Sequence, residues 1–156
     1  MSTALSIDGV LKGVSTAVAA GATLTLAADK HSGKTILLDT AAGSVVTLPQ
    51  ATGTGYRYRF EVSVLATSNS HKVQVGNSTD VMEGLAFGSR IDSGNAVLGF
   101  ATSATSDTIT LNRTTTGSVS VGEWIEIWDK ATGVFHAQVF GTATGGAYAT
   151  PFSAAV

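Results

Sequence analysis

The chain has 156 residues, room for one domain with its own core. Only 13% of them are charged, about half the usual share of ~25%, while 44% are hydrophobic and the mean hydropathy is positive. A formal charge of −2 without a Lys/Arg cluster argues against nucleic-acid binding through phosphates, the lack of cysteine rules out disulfides and thiolate chemistry, and no apolar run approaches the ~18 residues of a membrane span. So neutral an exterior implies that part of it is covered by other subunits.

Residues 1–20 carry no basic leader region, and Asp8 interrupts their apolar start, so no signal peptide is read. The chain is expected to be made and kept in a cytoplasm, where the sequons at Asn77 and Asn112 are irrelevant. Residues 11–20 are the only helix prospect, and Gly13, Val14, Thr16 and Val18 argue against it. Residues 1–20 therefore read as an extended arm, followed by a single domain over 21–156.

From there period two dominates. Segments rich in β-branched and aromatic residues, bounded by Gly, Asn, Asp and Ser, predict strands at 23–27, 35–40, 44–48, 56–65, 71–75, 81–86, 96–101, 108–112, 123–129 and 134–141. Short strands this closely spaced predict an all-β sandwich or barrel. Pro49 ends the strand before it, and Gly133 suits the left-handed position of the turn after Asp129. About 142–156 reads as a Gly/Ala/Thr-rich tail laid against something, with Tyr148, Pro151 and Phe152.

Gly33-Lys34-Thr35 is the second half of a phosphate-binding loop. Such a loop needs a first glycine where Ala28 stands, and a helix after the lysine. Here β-prone Ile36, Leu37 and Leu38 follow, so the stretch reads as a turn feeding a strand. His31, His71 and His136 lack metal-site spacing, and no G-x-S-x-G elbow is present. Three histidines, many serines and Glu61, Glu83, Glu123 and Glu126 are the whole case for an enzyme. Glu123 and Glu126 are an odd number of residues apart, so a regular strand sends them to opposite faces. No catalytic residue, metal site or cofactor is assigned.

The sharpest pattern is "EWIEIWD". Trp124, Glu126 and Trp128 share one face, and Ile125, Ile127 and Asp129 share the other. The rings stand about 13 Å apart along a strand, either as a subunit interface or as a sugar platform with Glu126 taking hydroxyl hydrogen bonds. Interfaces favour Trp for its size, rigidity and single polar handle. "YRYRFEV" alternates in the same way: Tyr56, Tyr58, Phe60, Val62 and Val64 form an apolar face, and Arg57, Arg59, Glu61 and Ser63 oppose it.

Three stretches carry a resemblance: "VVTLPQATGTGYRYRFEV" (45–62), "SDTITLNRTTTGSVSVGEWIEIWDKATGVFHAQVFGT" (106–142) and "ATPFS" (149–153). Together they resemble small virion proteins of tailed bacteriophages, the capsid decoration or cement proteins and head-fibre-like proteins. The resemblance implies a jelly-roll-like β-sandwich subunit, a homotrimer, bound outside the capsid after assembly in the host bacterial cytoplasm. It implies no enzyme activity; the implied partners are sister copies and a phage major capsid protein, with no nucleic acid and no membrane. A carbohydrate-binding β-module of a phage fibre touching the host surface is the alternative, with a glycan as ligand. For capsid attachment the apolar Leu5, Ile7, Val10 and Leu11 of the arm are the candidates; for the subunit interface or sugar platform, Trp124, Glu126, Trp128, Tyr56, Tyr58, Arg57 and Arg59.

Overall fold

The computed structural model describes residues 16–94 and 96–156. Their order is β1 (Val18–Ala19), β2 (Thr23–Thr25), the one-turn helix α1 (Ala28–His31), β3 (Thr35–Leu38), β4 (Val45–Thr47), β5 (Arg57–Val62) and β6 (His71–Gln74). Then come β7 (Val81–Arg90), β8 (Val97–Ala101), β9 (Thr108–Leu111), β10 (Trp124–Ala131), β11 (Val134–Ala143) and β12 (Phe152–Ser153). Each of the ten expected segments holds a strand. Leu5, Ile7, Val10 and Leu11 lie outside the described residues.

The strands form two mixed sheets, β1-β3-β5-β10-β11-β7-β8 and β12-β9-β6-β4-β2. Inward residues of both contribute to one buried cluster: Ile36, Leu38, Phe60, Ile125, Ile127 and Phe135 from the seven-stranded sheet, Val46, Val73, Ile109 and Leu111 from the five-stranded one. Removing each such side chain from water contributes roughly 1.5–3 kcal/mol. That single shared core makes the molecule all-β and sandwich-like.

From β1 to β6 the chain changes sheet at every strand. β1, β3 and β5 lie side by side and parallel, and β2, β4 and β6 do the same in the other sheet. Each connection between parallel neighbours therefore contains a strand of the opposite sheet, joined only by the one-turn α1 in the first two, rather than the long crossover helix of a βαβ unit. From β7 onward hairpins appear, β7–β8 and β10–β11, while β11 runs parallel to β7 over ten residue pairs. Five of the ten strand pairings are parallel, which departs from the antiparallel Greek keys of a jelly roll.

Residues 18–20 differ from the expected arm, while the C-terminal stretch is laid against β9. Val18 and Ala19 pair with Ile36 and Leu37, and Ala20 joins the core, so residues 18–20 belong to the sandwich. Phe152 and Ser153 pair with Ile109 and Thr108, and Tyr148 is buried, so the C-terminal stretch completes the five-stranded sheet. A two-residue strand shows no periodicity, which is why neither end reads as one. In the β10–β11 turn Gly133 has φ +77°, as its position demanded.

Candidate outer-face site

β5, β10 and β11 are adjacent, and each buries alternate residues. Tyr58, Phe60 and Val62, then Ile125 and Ile127, then Phe135, Ala137 and Val139 point into the core. Period two therefore sends Arg57, Arg59, Glu61, Trp124, Glu126, Trp128, His136, Gln138 and Phe140 outward. Tyr58, grouped with the outer-face candidates in the sequence, is a fully buried core residue and takes no part in that surface through its ring. Tyr56 lies just before β5 and is exposed.

Register aligns the outward residues into rows across the sheet. One row is Arg57, Trp128, His136 and Glu83; the next is Arg59, Glu126, Gln138 and Leu85; the third is Glu61, Trp124, Phe140 and Phe87. The Trp128 indole stacks on the His136 imidazole, centroids 3.9 Å apart, and carries the Arg57 guanidinium 5.0 Å from its centroid. Because β5 and β11 flank β10 on opposite sides, the ring is held between them. Trp124 repeats the arrangement, stacked on Phe140 at 6.2 Å with Arg59 at 4.8 Å. Glu126 sits between the two arginines, 3.2 Å from Arg57 and 4.0 Å from Arg59.

Two consequences follow. The indoles lean on neighbours on both sides, so a sugar stacking on either must first displace an arginine, a histidine or a phenylalanine. The side chains are also already ordered, so docking a partner costs them little further rotamer entropy. Burial pushes the His136 imidazole below its usual pKa, assisted by the Lys130 charge and opposed by Glu83, which itself pairs with Lys130. The stack on Trp128 is therefore one of neutral rings at neutral pH. Beyond it the face turns apolar: Phe140, Phe87 and Leu85 are 47%, 45% and 47% exposed and contiguous in register.

The other residues singled out in the sequence have structural uses. Gly33 N–H donates to the Arg57 carbonyl at 2.7 Å and Lys34 N–H to the His31 carbonyl at 3.2 Å. The helical turn precedes the lysine, so no backbone phosphate cradle forms. His31 Nδ1 accepts from Ala27 N–H, and the buried His71 bridges Ser44 N–H and the Val64 carbonyl. Glu123 turns inward, as its spacing from Glu126 predicts, and accepts from the N–H groups of Val119 and Ser120. Among the described residues no group of three or more His, Asp or Glu could hold a metal ion, and no helix is long and apolar enough to cross a membrane.

Sequence reasoning put Asp129 on the inner face without seeing its task. Its carboxylate accepts from the N–H groups of Thr52, Gly53 and Thr54 and from both threonine hydroxyls. Burial works to raise its pKa, but hydrogen bonds from the Thr54 hydroxyl and from the three N–H groups outweigh burial and take it down to about 2. Comparison with protein-family models, with curated proteins and with solved structures finds no match for this chain.

Proposed function

We propose that the chain is a structural virion subunit, a capsid decoration protein that binds the outside of a phage head as a homotrimer and stabilises it without enzymatic chemistry. The observation that carries this reading is the outward face of the seven-stranded sheet. An exposed apolar strip of Phe140, Phe87 and Leu85 borders a ladder of Trp and Arg held in place beforehand. Trp and Arg dominate interface hot spots, and a monomer gains nothing from keeping such a strip wet. The sparse charge of the whole chain fits a subunit that completes its burial against sister copies. The resemblance of residues 45–62, 106–142 and 149–153 to decoration proteins supplies the partner, a major capsid protein.

Stabilisation would work by mass action. A trimer that binds only the assembled shell favours it by RT ln(1 + [L]/Kd), and three linked weak contacts hold more tightly than one. The sandwich supplies the subunit contacts, and Leu5, Ile7, Val10 and Leu11 are assigned to the capsid contact. The test is to add the purified protein to heads of its own phage that lack it, and to follow binding and head melting. Occupied sites outside the shell and a raised melting temperature support the reading; heads that neither bind the protein nor gain stability overturn it.

A further inference from the structure

Three stretches that stand apart in the sequence meet in one place. Gly33, Lys34 and Thr35, the Arg57–Arg59 segment of β5 and Glu126 of β10 line an open cleft of about 240 Å³. We infer that this cleft binds a carboxylate-bearing sugar, a uronic acid unit of a polysaccharide. The inference stands apart from the capsid reading.

The walls are tied together by backbone bonds, Gly33 N–H to the Arg57 carbonyl and Arg59 N–H to the Lys34 carbonyl at 3.4 Å. The cleft is thus walled by hydrogen-bonded strands of the sheet rather than being a chance gap between loops. Three cations, Lys34, Arg57 and Arg59, face one carboxylate, Glu126, leaving a net charge of +2. Glu126 engages both arginines, and Lys34 takes part in no ion pair among the described residues. The guanidinium faces rest on Trp128 and Trp124, which fixes their planes and leaves their N–H edges to donate.

This donor set separates ligand classes. A bare phosphate would bring its double charge against Glu126 and would find no nest of backbone N–H groups, because those of Gly33 and Lys34 already donate within the protein. A neutral sugar would leave the Lys34 ammonium without a carboxylate. A sugar acid supplies both halves: its carboxylate meets the Lys34 and Arg59 donors, and its hydroxyls donate to Glu126 and exchange hydrogen bonds with Thr35. The volume suits one monosaccharide unit, and the open mouth lets a polymer continue past it. The cleft spans β3, β5 and β10 and the Phe140–Phe87 strip β11 and β7, so a contact confined to that strip leaves the cleft accessible.

The test titrates the full-length protein with trigalacturonate, galactose and inorganic phosphate, reading backbone amide shifts by NMR and affinity by calorimetry. Expected are saturable shifts at residues 33–35 and 57–59 with trigalacturonate, weakening as salt is added, and none with galactose. Lys34→Met should weaken binding about tenfold or more, as loss of a charge-assisted hydrogen bond does, while Lys34→Arg retains it. Thr35→Val is the second variant if Lys34→Met loses its folded spectrum. No saturable shift, equal binding of galactose, phosphate binding as tightly as the uronate, or both variants binding as wild type would each overturn the inference.

Discussion

The Asp129 carboxylate accepts the Thr54 hydroxyl at 2.6 Å across 75 residues of chain. It sits at the end of β10 and holds the turn before β5, so it locks together the two strands that carry the Trp–Arg ladder. Asp129→Ala strips the three N–H groups of Thr52, Gly53 and Thr54 of their acceptor inside the fold. The expected cost is about 2–4 kcal/mol in urea unfolding. The carboxyl also sets an acid limit. Its folded pKa of about 2 lies below the ordinary 3.8, so the unfolded chain takes up the proton first. Its stabilisation is complete above about pH 4 and is lost as pH falls towards 2. The urea midpoint of Asp129→Asn should fall less steeply than that of wild type over this window.

His71 sets a second limit nearer neutrality. Burial lowers its pKa from 6.5, against the opposing pull of the Val64 carbonyl, Asp39 and Glu123, and its Nδ1 must stay unprotonated to accept from Ser44 N–H. A lowered folded pKa means that the unfolded state binds the proton first, so stability is full above pH 6.5 and declines below it. His136 is shifted the same way and adds to the slope. Unfolding between pH 5 and 8 should show the decline in wild type and a shallower one in His71→Gln, which should also be less stable at pH 8.

Gly84 shows how closely β7 and β11 approach. It pairs with Ala137, and a Cβ built on it would stand 1.7 Å from the Ala137 carbonyl oxygen, so no side-chain rotation relieves the contact. Gly84→Ala should force the longest parallel pairing apart and cost roughly 3 kcal/mol. A thermal melt within a degree of wild type would show that the strands slide apart freely.

The arm carries a prediction of its own. Deleting residues 1–11 removes Leu5, Ile7, Val10 and Leu11 and none of the described core residues. The remaining chain should fold and assemble as before and bind phage heads more weakly in a pelleting assay. Undiminished binding would move the capsid contact to the sandwich.

Period two exposed the strands because residues such as Phe60 and Ile127 are fully buried while their chain neighbours face out. The same alternation assigned Trp124, Glu126 and Trp128 to one face. The parallel pairing of β1, β3 and β5 left no such trace, because it depends on which distant strands meet rather than on any local pattern. Nor does an acid advertise that it caps a loop: Asp129 and Glu123 look like any strand-end carboxylate until the Thr52–Thr54 and Ser118–Ser120 segments fold against them. Lys34 was legible only as half of a motif, and its place beside Arg57 and Arg59 arises from the β3–β5 register. "EWIEIWD" suggested two open indoles; the partners that cover their faces come from β5 and β11.

Sedimentation velocity of the purified protein at micromolar concentration, beside Phe140→Arg, tests most directly whether the Phe140, Phe87 and Leu85 strip of the seven-stranded sheet is buried by sister copies. Wild type should sediment at three times the 15.8 kDa chain mass, and a charge at the centre of the apolar strip should weaken assembly by about 2 kcal/mol or more, some thirtyfold, with the fold intact. A wild-type monomer at every concentration, indistinguishable from the variant, would contradict it.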